Sequence, residues 1–358
     1  MEVADGKVIN SEGHTTLFTA NTTVSESDNL FYNEASNESN ILGPHVIKLI
    51  GLICNNIYIP IVSVFGLVGN MLNIIVLSQH GVKSNSSTVL LFGLSLSDFA
   101  FVLTKPLVCL GGIIFYFNEP LGTSVSNLTY CFLHMVTRTF VAISTGLIAV
   151  ISVERFVAVF FPFKMSQYFT PQNTAVIASL TALSYVFAMS PFYAVFTYKW
   201  EYSSIYNTTV ATVVPTPFYK QNFDLINLYG GVPLNIYAGP IPLGVVLASG
   251  CAISFKLTLN SKQRKSMTHT TQTAVDDSKV MKMLLIVCTV FFVTIFPSTI
   301  VHFYLYFSIP DDIFNDPVYI TVQYLTEVAY VTNASINFII YVTVSNKFRA
   351  RYKKLLCR

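Results

Sequence analysis

Charge is scarce in this chain. Only 11% of its 358 residues are Asp, Glu, Lys or Arg, whereas 53% are hydrophobic, and the mean hydropathy is +0.56. A soluble domain of this length needs far more charged side chains to cover its surface, so the composition indicates a membrane protein. The sequence also has no HExxH or GxSxG motif, and the two acids within apolar stretches, Asp98 and Glu327, lie at different depths. We therefore do not expect an enzyme.

Long apolar runs dominate what is present. A helix needs about 20 predominantly apolar residues to cross a bilayer of roughly 30 Å. Seven stretches meet that length and are called spans 1 to 7 below: Ile53–Ser78, Val89–Phe115, Cys131–Phe161, Thr174–Phe196, Leu228–Leu259, Lys279–Phe307 and Val318–Val344. They predict an all-α, seven-transmembrane-helix bundle over residues 49–344. Residues 1–48 are polar and aperiodic and predict a disordered, glycosylated extracellular arm. Residues 345–358 predict a short amphipathic helix on the inner membrane face, followed by a cytoplasmic tail.

Basic residues are distributed unevenly between the loops. With the N-terminus outside, the cytoplasmic loops and tail hold fifteen of the 21 Lys and Arg residues but only three acids. The positive-inside rule therefore predicts a multi-pass plasma-membrane protein with an extracellular N-terminus and a cytoplasmic C-terminus. Basic tail residues beside a membrane favour contact with anionic lipid over nucleic acid. Met1 to His14 lacks the basic and apolar segments of a cleaved signal peptide, so span 1 is expected to act as its own insertion signal.

Asn-x-Ser/Thr triplets agree with this orientation. Four of them lie in segments predicted to be extracellular and are candidate glycosylation sites, namely Asn21, Asn37, Asn127 and Asn207. Two more, at Asn85 and Asn333, lie in the first inner loop and inside span 7, where no glycan can be added. At the end of the chain, Cys357 is either a palmitoylation site or an unmodified thiol.

Polar side chains inside the spans are functional candidates, because a polar group in hydrocarbon is costly unless it is paired or hydrated. Asp98 in span 2 is the only carboxylate of a set that also includes Asn70, Ser144, Asn333 and Asn337. We expect these side chains to form one buried polar cluster. Because hard cations prefer oxygen ligands, Asp98 and Ser144 make this a candidate site for an allosteric sodium ion. The alternative is a water-filled network that joins the helices; no other metal or cofactor is predicted.

An arginine marks the inner end of span 3, in the run Ser152-Val153-Glu154-Arg155-Phe156. A cation at that depth needs partners, and the candidates are Glu154 beside it and Asp277 at the start of span 6. Held between two carboxylates, Arg155 would form a two-state latch that opens when the helices separate. Alternatively, its side chain simply extends to the inner surface.

Several motifs follow one another in a characteristic order: Gly69-Asn70, Asp98, Glu154-Arg155-Phe156 with Pro162, Phe291 before Pro297, and Asn337-Phe338-Ile339-Ile340-Tyr341. With this order and spacing, residues 50–357 resemble the rhodopsin-like (class A) G-protein-coupled receptors. The Asn-Phe-x-x-Tyr form is similar to that of invertebrate neuropeptide receptors of the FMRFamide-receptor type, and the inner end of span 3 is similar to that of divergent molluscan chemosensory receptors. The resemblance implies a ligand pocket on the outer side, a heterotrimeric G protein on the inner side, and Arg155 and Tyr341 as switch residues.

The chain departs from this family in several places. The family usually joins span 3 to the second outer loop by a disulfide, and Cys131 stands near the expected position. However, the loop from Tyr198 to Asn227 has no cysteine. Cys131 is therefore either free or paired with Cys54 or Cys109 near the outer helix ends. An isoleucine also replaces the usual tryptophan of span 6, and a phenylalanine replaces the usual proline of span 7. We therefore expect activation to depart from the usual path of the family.

The resemblance also narrows the ligand. Span 7 has no lysine for a retinal Schiff base, and Thr137 stands where amine receptors have an aspartate, so neither an opsin nor an amine receptor is expected. Family geometry implies an outer pocket that contains Lys105, His134, Thr137, Arg138, His302, Glu327 and Tyr330. Its two fixed cations against one carboxylate favour a ligand with an exposed anion, such as a peptide C-terminus or a small carboxylate. The alternative is that Glu327 pairs with Arg138 or Lys105, which would leave no net charge for the ligand.

The sequence thus predicts a receptor that binds an extracellular ligand and activates a heterotrimeric G protein. A peptide is the expected ligand, and a small organic ligand of a chemosensory receptor is the alternative. A transporter is the alternative from another class of protein. Transporters favour inverted repeats and helices interrupted near the middle of the membrane, and the sequence shows no such symmetry.

Overall fold

The fold was described from a computed structural model, which covers residues 43–79, 85–264, 286–297, 299–301, 304, 317–344 and 346–356. The first three spans are long helices. Span 1 runs without a break through Pro44–Gly51, a π-helical stretch Leu52–Tyr58 and Ile59–Gln79. Span 2 is Ser86–Phe115. Span 3 runs through Glu119–Thr129, a π-helical stretch Tyr130–His134 and Met135–Phe160, so it begins twelve residues before the predicted start at Cys131.

The second half of the chain contains shorter pieces. A helix in the second inner loop spans Pro162–Tyr168, and span 4 is Pro171–Met189 followed by a 3-10 turn Ser190–Ala194. Short helices Pro217–Gln221 and Phe223–Tyr229 and a π-helical turn Gly230–Leu234 precede span 5, which consists of Asn235–Ala238 and Pro240–Arg264. Span 6 is helical over residues 286–297 and 299–301. Span 7 is Pro317–Val344, and the C-terminal helix is Asn346–Leu356.

Five of the described helices are long and apolar enough to cross a membrane: His45–Gln79, Ser86–Phe115, Glu119–Phe160, Pro171–Ala194 and Asn235–Lys256. Residues 286–301 form a shorter apolar helix in span 6. The span 7 helix has 28 residues, and at 1.5 Å per residue it is about 42 Å long, enough to cross a bilayer. The described helices therefore include six of the predicted spans and the middle part of span 6.

The periphery of the bundle is apolar. Along span 4, four large side chains recur at helical spacing and are more than half exposed, namely Val176, Leu180, Leu183 and Phe187. In water such a stripe would be a liability, but hydrocarbon covers it at no cost. Polar side chains cap the starts of helices. Asn85 Oδ1 accepts a hydrogen bond from the Thr88 amide at 2.8 Å and caps span 2.

Spans 1 and 7 approach each other closely through two glycines. A Cβ added at Gly66 would collide with the Ser335 hydroxyl, and one added at Gly69 would lie 2.8 Å from Phe338 Cβ. Phe338 thus packs against the bare backbone of span 1, at the position where the family usually has proline. Small residues that let helix backbones approach are a common device in membrane bundles, where packing rather than hydrophobicity joins the helices.

A β-hairpin over the second outer loop was not predicted. Strand β1 (Phe196–Ser203) pairs antiparallel with β2 (Thr208–Pro215), in a register from Phe196↔Pro215 to Ser203↔Thr208. The alternation of aromatic and polar residues along β1 was the signal available in the sequence. On its polar face, hydrogen bonds from Lys199 and Thr212 hold the pKa of the exposed Glu201 carboxyl below its usual value.

The hairpin lies against the outward extension of span 3. Asn127 Nδ2 donates to the Ala211 carbonyl at 2.7 Å, and the Ala211 amide donates to Ser124 Oγ at 3.2 Å. Asn127 is only 1% exposed. A glycan needs a free, solvent-facing amide nitrogen, so a glycan on Asn127 is incompatible with the hairpin docked in this way. Asn207 differs: it is exposed at the hairpin tip with φ 50°, a left-handed conformation that Asn tolerates. Asn21 and Asn37 lie outside the described residues.

The cysteines carry no bridge within the described part of the chain. Cys54, Cys109, Cys131, Cys251 and Cys288 are all free thiols. Of the alternatives for Cys131, the free thiol is therefore the one that the structure contains. Cys357 lies outside the described residues. Hydrogen bonds and ring contacts, such as that between Phe132 and Tyr198 with centroids 5.7 Å apart, hold the second outer loop on span 3.

Candidate functional site

Three charged side chains from three spans meet in the outer half of the bundle. Lys105 of span 2 places its Nζ 2.9 Å from Glu327 Oε2, and Arg138 of span 3 places an Nη atom 2.9 Å from Glu327 Oε1. We call Lys105, Arg138 and Glu327 the outer charge cluster. Glu327 belongs to span 7, so each of its two oxygens joins that span to a different neighbour. Buried charges are tolerated when they are paired in this way.

The exposures of the two cations differ. The side chain of Lys105 is 8% exposed, whereas that of Arg138 is 31% exposed. Both cations share the one carboxylate, so the outer charge cluster carries one more positive than negative charge. The pairing of Glu327 with the cations, which the sequence left open, therefore occurs with both at once and does not cancel the charge of the cluster.

A small cavity adjoins this cluster. Among the residues that line it are Lys105, His134, Thr137, Arg138 and Glu327. The His134 ring stacks on Tyr130 with centroids 4.8 Å apart, which fixes the imidazole at the edge of the cavity. The Thr137 hydroxyl donates to its own helix, at the Leu133 carbonyl, and offers only its remaining acceptor capacity to a ligand. Five of the seven predicted ligand-binding residues thus lie together.

The remaining two predicted ligand-binding residues are not among the described residues that line this cavity. Tyr330 lines a second cavity deeper in the bundle, beside Asp98 and Ser144. It is three residues from Glu327 along span 7, and it also interacts electrostatically with Arg138 and Glu327 of the outer charge cluster. His302 lies outside the described residues. The assignment of Tyr330 to the outer pocket therefore stays a prediction.

Asp98 is the centre of the predicted polar network. Ser144 Oγ donates to Asp98 Oδ1 at 2.5 Å, and Asn337 Nδ2 donates to Asp98 Oδ2 at 2.7 Å. Ser97 Oγ, a residue that the sequence did not single out, lies 2.8 Å from Ser144 Oγ. Asn70 is close but has another partner: its Nδ2 donates to the carbonyls of Gly66 and Ala334, so it joins spans 1 and 7 directly.

The deeper cavity has the size and the lining for a sodium ion. Asp98, Ser144 and Asn333 line it together with apolar side chains, and the cavity volume is about 10 Å³. That is room for about one water or one small ion. Oxygen donors from Asp98 and Ser144 are the chemistry that a hard cation prefers. The side chains present therefore fit a single sodium ion whose other ligands are water.

The inner end of span 3 carries a buried ion pair. Arg155 contacts Glu154 Oε2 through an Nη atom at 2.5 Å and through Nε at 2.7 Å. Glu154 also accepts hydrogen bonds from Ser86 Oγ at 2.5 Å and Ser87 Oγ at 3.2 Å. The two serines begin span 2, and the sequence analysis did not select them. Asp277, the other predicted partner of Arg155, lies outside the described residues.

Tyr341, the other predicted switch residue, is fully buried. Its ring lies 5.5 Å from that of Phe348 in the C-terminal helix, and its hydroxyl has no hydrogen-bond partner within the described part of the chain. One helical turn earlier, the Phe338 ring contacts that of Tyr352, whose hydroxyl donates to Asn73 Oδ1 in span 1. The C-terminal helix is thus packed on the inner ends of spans 1 and 7.

Comparison with known proteins agrees with this arrangement. Residues 69–341 match the family described as 7 transmembrane receptor (rhodopsin family). The matched region begins at Gly69-Asn70 and ends at Tyr341, so it includes the polar network, the inner ion pair and the outer charge cluster. No curated protein matches the chain significantly. The match confirms the predicted receptor class and seven-helix bundle, and it confirms that the protein is not an enzyme. The chain belongs to the rhodopsin family of seven-transmembrane receptors.

Proposed function

We propose that this receptor binds an extracellular ligand with an exposed carboxylate, in the first instance a peptide C-terminus, and then activates a heterotrimeric G protein. The observation that carries the proposal is the outer charge cluster, in which Lys105 and Arg138 share Glu327. One positive charge of the cluster is uncompensated by its own carboxylate. A second carboxylate, supplied by the ligand, would complete two ion pairs.

Arg138 is the cation that reaches such a ligand. It is 31% exposed, whereas Lys105 is 8% exposed. A guanidinium has five donors in a planar fork and can hold two carboxylates at different edges, which an ammonium does less well. A ligand that draws Arg138 partly away from Glu327 also weakens the link between spans 3 and 7. Ligand binding would thereby favour a different arrangement of these helices.

The hairpin favours a peptide over a small carboxylate. The base of the hairpin lies close to the outer charge cluster. Tyr130 contacts Phe196 of β1 and also contacts His134, which lines the cavity beside the cluster. Further out, Tyr198 and Trp200 are 37% and 56% exposed. Aromatic side chains of this kind provide large contact areas at low conformational cost. A peptide can use this surface together with the cluster, whereas a small carboxylate reaches the cluster alone.

The test is a ligand screen on cells that express the chain, with nucleotide exchange on co-expressed G proteins as the readout. Each peptide is supplied as the free acid and as its amide, and small organic acids are screened in parallel. A charge-assisted contact contributes about 1.5–3 kcal/mol. Arg138→Ala should therefore raise the ligand concentration that gives half-maximal nucleotide exchange roughly ten- to hundredfold. Responses that survive Arg138→Ala and Lys105→Ala unchanged would show the carboxylate proposal to be wrong. Responses to small acids alone would favour a chemosensory receptor.

Coupling itself is tested without a ligand. Agonist-independent exchange is measured for the wild type and for Arg155→Ala at equal surface expression. A receptor gives a basal exchange that Arg155→Ala changes, since Arg155 is the inner switch residue. A transporter, the alternative from another class, gives no exchange above empty membranes in either form.

We also propose that a sodium ion binds in the deeper cavity, beside Asp98 and Ser144. Support comes from the oxygen donors and the one-ion space of the deeper cavity. The purified receptor should be more heat-stable in sodium chloride than in choline chloride, because the ion binds only the folded state. Asp98→Asn should remove the difference. Ser95→Ala, a buried serine of the same span whose hydroxyl has no described partner, should retain it.

The orientation completes the proposal. We propose an extracellular N-terminus in the plasma membrane, supported by the concentration of basic residues on the opposite side. In this orientation the hairpin with Asn207 is extracellular and the ion pair of Glu154 and Arg155 faces the cytoplasm. A glycan on Asn207 would agree with it, whereas cytoplasmic labelling of an introduced hairpin cysteine would contradict it.

A further inference from the structure

We infer that Ser86 and Ser87, at the start of span 2, are positioning residues of the inner switch. Their hydroxyls hold the Glu154–Arg155 pair against span 2 and so keep the receptor inactive in the absence of ligand. The inference rests on the proposed coupling to a G protein. It identifies which neighbour holds the switch closed, a role for which the sequence offered only Asp277.

The two oxygens of Glu154 are divided between two sets of donors. Oε1 accepts from Ser86 Oγ at 2.5 Å and from Ser87 Oγ at 3.2 Å, whereas Oε2 accepts from Arg155. Glu154 is 0% exposed. A carboxylate removed from water needs hydrogen bonds that replace those to water. At Glu154 Oε1, the two serine hydroxyls are the donors that the described residues provide. The pair is therefore fixed to span 2 as well as to itself.

Ser87 also contacts the arginine directly. An Nη atom of Arg155 donates to Ser87 Oγ, and Ser87 Oγ donates to Glu154. The three side chains form a closed ring of hydrogen bonds. Arg155 therefore cannot extend into the inner cleft without breaking contacts on two spans at once. An ordinary neighbouring ion pair would not impose this restriction, because Glu154 and Arg155 are adjacent on one helix.

The serines are held in a rigid place. They are the first two residues of a 30-residue helix, and Asn85 caps that helix by accepting from the Thr88 amide at 2.8 Å. The first turn is the positive end of the helix dipole. The Glu154 carboxylate lies beside this turn, and the dipole stabilises its negative charge. Span 2 thus offers a fixed, preorganised pair of hydroxyl donors to the carboxylate, and movement of span 3 away from it opens the switch.

The first test measures agonist-independent nucleotide exchange in membranes at matched surface expression. Ser86→Ala with Ser87→Ala should raise basal exchange by at least about tenfold, because three hydrogen bonds to charged groups are lost in the closed state only, and one such bond already corresponds to about this factor. Ser86→Thr with Ser87→Thr retains the hydroxyls and should restore the wild-type value. Ser95→Ala, a buried serine in the same span, is the matched control and should have no effect. Basal exchange of the double alanine variant equal to that of the wild type would overturn the inference.

A second test needs no G protein. Cys288 of span 6 is 6% exposed and lies 3.1 Å from Ser152 Oγ of span 3, one turn from Arg155. Separation of these spans exposes its thiol to the cytoplasm. A charged, membrane-impermeant methanethiosulfonate is applied to inside-out vesicles of a background in which Cys131, Cys251 and Cys357 are serine. The double alanine variant should react roughly ten times faster than this background, in proportion to the open fraction.

The two tests separate the two ideas. Faster labelling together with faster exchange supports both the inference and the proposed coupling. Faster labelling without any exchange supports the serine switch and contradicts coupling to a G protein. Unchanged labelling of Cys288 in the double alanine variant, with normal surface expression and with the threonine variant as reference, contradicts the serine switch.

Discussion

Replacing Glu327 by glutamine removes the carboxylate that two buried cations share, and the cost follows from the geometry of the outer charge cluster. Removing one partner of a buried pair typically costs about 3–5 kcal/mol, because the other charge is left buried and unpaired. Lys105 is 8% exposed and meets that condition, whereas Arg138 is 31% exposed and can recover contact with water. We therefore expect Glu327→Gln to destabilise the receptor by about 3–5 kcal/mol, with most of the loss arising at Lys105.

The assay is the temperature at which half of the detergent-solubilised receptor loses its monodisperse fold. Unfolding of membrane receptors is usually irreversible, so this temperature is compared at a fixed heating time. At about 2 °C per kcal/mol for a chain of this size, Glu327→Gln should lower it by roughly 6–10 °C. Removing the buried cation as well, in Lys105→Met with Glu327→Gln, should recover more than half of the loss. Arg138→Met with Glu327→Gln should recover less, because Lys105 is still buried and unpaired.

Two results would refute this reasoning. A half-inactivation temperature of Glu327→Gln within about 1 °C of the wild type would show that the cations are hydrated and that the cluster is not a buried network. Equal recovery in the two double variants, or the reverse order, would show that the exposures of Lys105 and Arg138 do not set the cost. Lys105→Met alone is the control, since Glu327 then keeps Arg138 and the loss should be small.

Three further predictions concern the fold around the site. Asn207→Gln should remove one glycan, seen as a shift on a gel that glycosidase treatment abolishes, whereas Asn127→Gln should leave glycan occupancy unchanged. Gly66→Ala should reduce surface expression because its Cβ has no space against span 7, whereas Gly93→Ala, whose Cβ would lie 3.6 Å from its nearest neighbour, should be tolerated or slightly stabilising. Cys131→Ser, and treatment of the wild type with a reducing agent, should each change the half-inactivation temperature by less than about 2 °C, since a lost disulfide would cost more.

The spans and the polar network could be predicted because membrane depth follows from position along a helix. Asp98, Ser144 and Asn337 lie at one depth, and a polar side chain in hydrocarbon needs a partner at that depth. Lys105 and Glu327 were placed in one pocket by the geometry of the family, with their pairing left as an alternative. The membrane depth of a residue does not predict the direction of its side chain around the helix. Membrane depth therefore did not reveal that Tyr330 lines the deeper cavity.

Ser86 and Ser87 illustrate another limit. They stand in a polar segment at the inner end of span 2. Exposure of a serine to water costs no free energy there, so the sequence does not indicate a function for it. Their importance arises only because Glu154 is buried against that segment. A contact between a helix start and a side chain 68 residues away depends on how the spans pack, and local sequence does not contain that information.

The second outer loop shows how a missing covalent bond is replaced. The absence of a cysteine from this loop left Cys131 either free or paired with Cys54 or Cys109, and the structure contains the free thiol. The absence did not reveal what holds the loop, because the partners are an amide side chain in a glycosylation triplet and the backbone of Ala211. The triplet at Asn127 is typical of an exposed site, but the hairpin covers it. A glycan on Asn127 and a docked hairpin are therefore mutually exclusive, and glycan occupancy at this one residue reports directly on how the loop is anchored.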